Sequence, residues 1–168
     1  MKYLGLTLGP IYRTINNARK TRELWVSSFI FSWIMKRVLQ HIEEAGMSDQ
    51  VLTPYLDRSN ESVGAGLYSD RMVMEFQNED DLKNLIKFTE ATITELINDK
   101  AAVALRKSPD EIASFFRGYF KTYIVALDIK TDKNPMYEVN TYLDTVELQP
   151  AWVADEDNNP VYQFIEAL

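Results

Sequence analysis

Apolar and polar residues change period several times along the chain, and each change marks an element. Tyr3–Leu8 is a continuous apolar run closed by Gly9-Pro10, the pattern of a buried strand. A helix is expected to start between Asn17 and Thr21 and to stop near Ala45-Gly46, where glycine supplies the C-cap. Leu24 to Ile34 is apolar almost all round, so this helix is expected to be buried on several sides. Trp25, Phe29, Phe31 and Trp33 are then core candidates. Val51–Thr53 predicts a short strand ended by Pro54, which has no ladder donor. Asp57 to Gly66 is polar and reads as an exposed loop.

Arg71–Phe76 alternates Met72, Met74 and Phe76 with Val73 and Glu75, a third strand. Asn78 followed by Glu79, Asp80 and Asp81 is a helix start, and Leu82, Leu85, Ile86, Thr89, Ile93, Leu96 and Ile97 keep helical spacing behind it. Ser108-Pro109-Asp110-Glu111 is another start, for a helix stopping near Gly118. Tyr119–Ile129, rich in aromatic and β-branched residues, predicts the fourth strand. Asn134-Pro135 opens a helix over about Met136 to Val146. Gln149 onward reads as irregular, and Val161–Leu168 as a short final helix. The order strand-helix-strand-strand-helix-strand is ferredoxin-like. The fold class is therefore α+β, an antiparallel sheet with helices packed on one face, plus extra C-terminal helices.

Composition sharpens this picture. At 168 residues with 46% hydrophobic content the chain supports one domain with a sizeable core, expected over 1–168. No apolar run is long enough to span a membrane, and no secretory signal opens the chain. Cysteine is absent, which fits a reducing cytoplasm. Residues 1–40 hold seven Lys and Arg against one acid, Glu23, in a chain of net charge −7. Such a balance suits one cationic edge offered to a partner or nucleotide, not general nucleic-acid binding.

The cationic edge is also where the chain resembles a known family. Gly9, Pro10, Ala18, Arg19, Lys20, Thr21, Leu24, Trp25 and Ser28 fall in one ungapped register. That register is similar to G-P-V-Q-x-F-I-x-x-A-R-K-T-x-D-L-W-x-G-S, near the start of the large, polymerase-like subunit of type III-B CRISPR (Cmr) effector complexes. Tyr12, Glu23 and Ser27 stand where the family has glutamine, aspartate and glycine. Val51-Leu52-Thr53-Pro54, Gly66-Leu67-Tyr68-Ser69-Asp70-Arg71 and Phe115 through Ala126 resemble later family segments.

The resemblance implies a palm domain of the nucleotidyl-cyclase-like type, the first of two, in a chain that is a fragment or truncated relative of a larger subunit. It implies a role as scaffold and as half of a nucleotide pocket in RNA-guided antiviral defence. The catalytic carboxylates, a G-G-D-D segment absent here, would lie in the second palm. ATP and a divalent metal are implied for the full-length cyclic oligoadenylate synthetase, and no cofactor for this chain. The implied partners are other subunits of the ribonucleoprotein, with guide and target RNA met indirectly. The alternative is an independent ferredoxin-like RNA-binding or ligand-sensing module.

The residues themselves offer little catalysis. Asp80-Asp81 reads as helix capping rather than a metal pair. Asp128 could point into a pocket but has no second carboxylate at palm-like spacing. His41 is the single histidine, too little for a metal or phosphohydrolase cluster. No glycine-rich phosphate loop or G-x-S-x-G is present. The chain alone is expected to be inactive, with no catalytic or metal residues. The candidate nucleotide- or partner-binding residues are Arg13, Arg19, Lys20, Arg22, Ser27 and Ser28. They are expected at a strand-to-helix junction, where free backbone N–H groups favour anions.

Overall fold

A computed structural model describes residues 1–55, 68–148 and 159–168. The loop expected at Asp57 to Gly66 lies outside the described residues, as does the irregular stretch from Gln149 as far as Asn158. The elements run β1 (Lys2–Gly9), α1 (Ile11–Asn16), α2 (Thr21–Glu44), β2 (Val51–Thr53), β3 (Arg71–Glu75) and α3 (Glu79–Glu95). A π-helical stretch, Leu96–Ala101, then leads into α4 (Ala102–Leu105), α5 (Pro109–Tyr119), β4 (Lys121–Asp128), α6 (Pro135–Glu147) and α7 (Pro160–Ala167).

The four strands form an antiparallel sheet in the order β2-β3-β1-β4. That is the ferredoxin-like order expected from the sequence, with β1 inside the sheet. Both faces of the sheet are covered over β1, so its apolar run needs no polar alternation, and Tyr3 through Gly9 are all buried. Leu4, Leu6 and Leu8 point to one face, where they share a core with Met72, Met74 and the inner side of α2. Tyr3 points to the other face, beside Val73 and Ile129. Here α6, one of the C-terminal helices, lies across the sheet and buries Val139 and Leu143.

Local chemistry sets the helix ends. Asn78 accepts the Asp80 and Asp81 N–H groups, while the Asp81 carboxylate accepts from Gln77 and Asn78. Glu111 closes the same kind of box on Ser108. These bonds hold the Glu111 carboxyl below its usual range, the Ser108 backbone N–H first. Gly46 follows α2 with φ +73°, the left-handed turn that glycine makes without strain.

Two expectations are corrected. Helix α2 is not buried on several sides. Val26, Ile30, Phe31, Ile34 and Met35 face inward, but Leu24 is 45% and Trp25 49% exposed. Trp25 stacks on Phe29 at 5.3 Å along the outer face. A high density of apolar residues hid the 3.6-residue period that the fold imposes. Asp128 enters no pocket: its carboxylate lies 3.3 Å from the Met1 amino group with its side chain 76% exposed.

Candidate functional site

The chain leaves β1 through Gly9-Pro10, makes the short helix α1, turns at Asn17–Lys20 and enters α2. Within α1, Thr14 is buried. Its hydroxyl donates to the Pro10 carbonyl at 2.6 Å and meets the Tyr119 hydroxyl at 2.7 Å. Burial pushes the Tyr119 phenol up, so it stays a neutral hydrogen-bonding group. These contacts fix α1 against the C-terminal end of α5.

The start of α2 is organised by Glu23. Its carboxylate accepts the Arg19 N–H at 2.7 Å and the Lys20 N–H at 3.2 Å, and the Lys20 ammonium lies 3.8 Å away. The Glu23 side chain is only 7% exposed. The Arg19 backbone bond, foremost, holds its carboxyl below the usual range. Glu23 thus fills the helix N-terminus from within, and these two N–H groups are already spent.

The six residues proposed from sequence do not converge on one cavity. Arg19 lines a polar cavity of about 310 Å³ between the α1–α2 turn and α7, with Asn16, Asn17, Tyr162 and Gln163. Lys20 stays beside Glu23, and Arg22 donates to the Glu166 carbonyl. Ser27 is fully buried and donates to the Glu23 carbonyl at 2.7 Å, so its hydroxyl is spent inside the helix. Ser28 opens on a smaller cavity of about 270 Å³ with Ser32, Tyr68 and Asp70. Arg13 lines the largest of these cavities, about 560 Å³, at the C-terminal end of β1.

That cleft joins Gly9, Pro10 and Tyr12 to Asp70, Lys121, Tyr123 and Glu147. Antiparallel pairing brings Lys121 opposite Gly9 and Tyr123 opposite Thr7. Lys121 makes no ion pair among the described residues, and Tyr12 is 82% exposed at the rim. Glu147 is held by Arg71 Nη2 at 2.7 Å and by the Thr7 hydroxyl at 2.5 Å. The cleft therefore offers two tyrosines and two bases, Arg13 and Lys121, alongside two acids, Asp70 and the Arg71-paired Glu147. Sequence reasoning reached Arg13 but missed Lys121, Tyr123 and Asp70, because only strand pairing brings them together.

His41 is half-buried on α2, with Nε2 3.1 Å from Glu95, which also accepts from Arg37 at 2.8 Å. The Arg37 bond, first among its causes, lowers the Glu95 pKa, making this a tie between α2 and α3. Among the described residues no group of three or more His, Cys, Asp or Glu side chains is placed to hold a metal. No helix among them is long and apolar enough to cross a membrane.

Residues 3–114 match the family model described as CRISPR-associated protein Cmr2, N-terminal. The chain belongs to that family. All six candidate residues lie within the matched span, whereas Lys121 and Tyr123 of the cleft lie beyond it. No curated protein matches the chain. Among solved structures, it is similar to a chain of Type III-B Cmr-beta bound to cognate target RNA, determined by cryo-EM. The two are 12% identical, with a TM-score of 0.50, over 90% of this chain and 23% of that one. It is also similar to a chain of the apo state of Type III-B Cmr-beta, at 15% identity and a TM-score of 0.49, over 86% of this chain and 22% of that one. The chain thus spans under a quarter of the length of either matched chain.

Proposed function

We propose that the chain is the first palm-type domain of the large subunit of a type III-B CRISPR effector. It acts there as a scaffold and as one wall of a nucleotide pocket. The observation that carries the reading is the Cmr2 N-terminal match over residues 3–114, together with a sheet in ferredoxin-like order. The cleft at the end of β1 supports the pocket, since Arg13 and Lys121 line it beside two tyrosines. The carboxylates that hold divalent metal, and hence the chemistry on ATP, belong to a second palm. The partners are the other subunits of a cytoplasmic ribonucleoprotein, with guide and target RNA contacted through them.

One observation disfavours the independent RNA-binding module. A ferredoxin-like RNA reader stacks bases on an open sheet face. Here α6 covers the face opposite α2, and Tyr3, the aromatic residue of β1, is buried there at 6% exposure.

The test is ATP binding to the complete large subunit carrying Arg13→Ala with Lys121→Ala, or Arg19→Ala with Lys20→Ala. The first pair is expected to weaken binding by about tenfold or more, as loss of charged contacts does. The second pair is expected to change it little, because Glu23 already occupies that helix end. Unchanged affinity in both, with folding intact, leaves the domain a scaffold only.

A further inference from the structure

The cleft at the end of β1 holds two carboxylates in different situations. Glu147 is already engaged: its Oε1 accepts from the Thr7 hydroxyl and from Arg71 Nε, and its Oε2 accepts from Arg71 Nη2 at 2.7 Å. Asp70 lines the same cleft with its acceptors open. Among the described residues its carboxylate makes no ion pair, and the Ser69 hydroxyl, 3.4 Å away, is its hydrogen-bond neighbour. In the segment Gly66 to Arg71, Arg71 ties β3 to α6, and Asp70 is left facing the cleft.

The backbone fixes where this acid stands. The Asp70 carbonyl accepts the Leu8 N–H at 3.0 Å, and Arg71 pairs with Thr7 in the ladder between β1 and β3. Lys121 begins β4 opposite Gly9, on the other side of β1. Neighbouring strands lie about 4.8 Å apart, so the backbones carrying Asp70 and Lys121 are about 10 Å from each other across the end of β1. The cleft thus has an acid on its β3 side and a base on its β4 side, while α1 supplies Arg13 and the exposed ring of Tyr12.

We propose that Asp70 reads the sugar of a ribonucleotide, its carboxylate accepting the vicinal ribose hydroxyls, so that the cleft selects ribose over deoxyribose. This rests on the reading of the cleft as one wall of a nucleotide pocket. Phosphates go to Arg13 and Lys121 and are repelled by Asp70. A carboxylate accepts hydrogen bonds and donates none, so Asp70 needs O–H or N–H donors. In a nucleotide those are the ribose hydroxyls and the hydrogens on the base. The flat base suits the tyrosine ring at the rim, which leaves the sugar for Asp70. A vicinal diol presents two donors together, and a carboxylate can take both. An acid on a ribose hydroxyl is also the device by which dinucleotide-binding folds hold their sugar.

The test measures binding of ATP, 2′,3′-dideoxyATP and inosine triphosphate to the complete large subunit. Asp70→Ala is expected to lower the preference for ATP over dideoxyATP by about tenfold or more, as loss of hydrogen bonds to a charged group does. The change should come from weaker ATP binding, with dideoxyATP bound no worse. Asp70→Asn keeps the shape and one acceptor oxygen and should lose less of the preference. A merely structural role lowers both affinities together at an unchanged ratio, and that result overturns the proposal. So does a lost preference for ATP over inosine triphosphate, which keeps the ribose but lacks the amino group, because Asp70 then reads the base. If Arg13→Ala with Lys121→Ala leaves ATP binding unchanged, the pocket reading falls and this assignment with it. If that pair weakens ATP binding while Asp70→Ala leaves the sugar preference intact, only the assignment of Asp70 falls.

Discussion

On one face of the sheet Leu4, Leu6, Leu8, Met72 and Met74 share a continuous apolar core with α2, α3, α5 and α7. On the other, a single helix, α6, closes over a small cluster of Tyr3, Val73, Ile129, Val139 and Leu143. What the second face lacks in apolar area it makes up with close fit and charge. Gly5 lets the Val139 side chain press against the backbone of β1. Arg71 reaches from β3 to Glu147 and Asp144 on α6, each at 2.7 Å. A broad apolar face tolerates no loss of volume, and a narrow one depends on one absent methyl and one guanidinium.

The contrast breaks most visibly at Ile34, which is 1% exposed in the larger core. Ile34→Ala is expected to cost about 2–5 kcal/mol, and chemical denaturation should show the whole chain losing stability in one transition. Gly5→Ala probes the other face. Its new Cβ would lie 2.3 Å from Val139 Cγ1, 3.1 Å from Val125 Cγ2 and 3.3 Å from Leu143 Cδ1. Overpacking of this kind costs about 1–3 kcal/mol. Val139→Ala should recover part of that loss in a double-mutant cycle, while hydrogen exchange in α2 stays unchanged.

Arg71→Ala is the smallest of the three effects. Arg71 is partly exposed, so the loss should be about 1–2 kcal/mol, seen as a lower melting temperature with α6 opening first. Equal protection of α6 and α2 in that variant would mean that the two faces are one cooperative unit.

Much of the scaffold was legible in the sequence because its signals are local. The Asn78 and Ser108 capping sequences, the Asn134-Pro135 start and the Gly46 stop all lie within a few residues of the bonds they form. The four-strand order followed from these boundaries. What escaped depends on distance or context. Helix α1 sits in a stretch read as a connection, and it is held by Tyr119 from far along the chain. The π-helical turn at Leu96–Ala101 keeps apolar spacing close enough to α-helical to be read as one. In the candidate site, Arg13 was found from its place after β1. The cleft around it was not, because Lys121, Tyr123 and Glu147 arrive from β4 and α6. Glu23 was counted as the single acid among the bases; its bonds to Arg19 and Lys20 are as local as those of Asp81 and Glu111, but the cap position before it is Lys20 rather than a usual capping residue.

That buried carboxylate turns the basic junction into an ion exchanger rather than an open receptor. A foreign anion seeking the Arg19 and Lys20 N–H groups must first displace Glu23. Because the Glu23 pKa is held below its ordinary value, the carboxylate stays seated throughout the neutral range. What this junction still turns outward at neutral pH is therefore side-chain charge, such as the Arg19 guanidinium in the polar cavity beside α7.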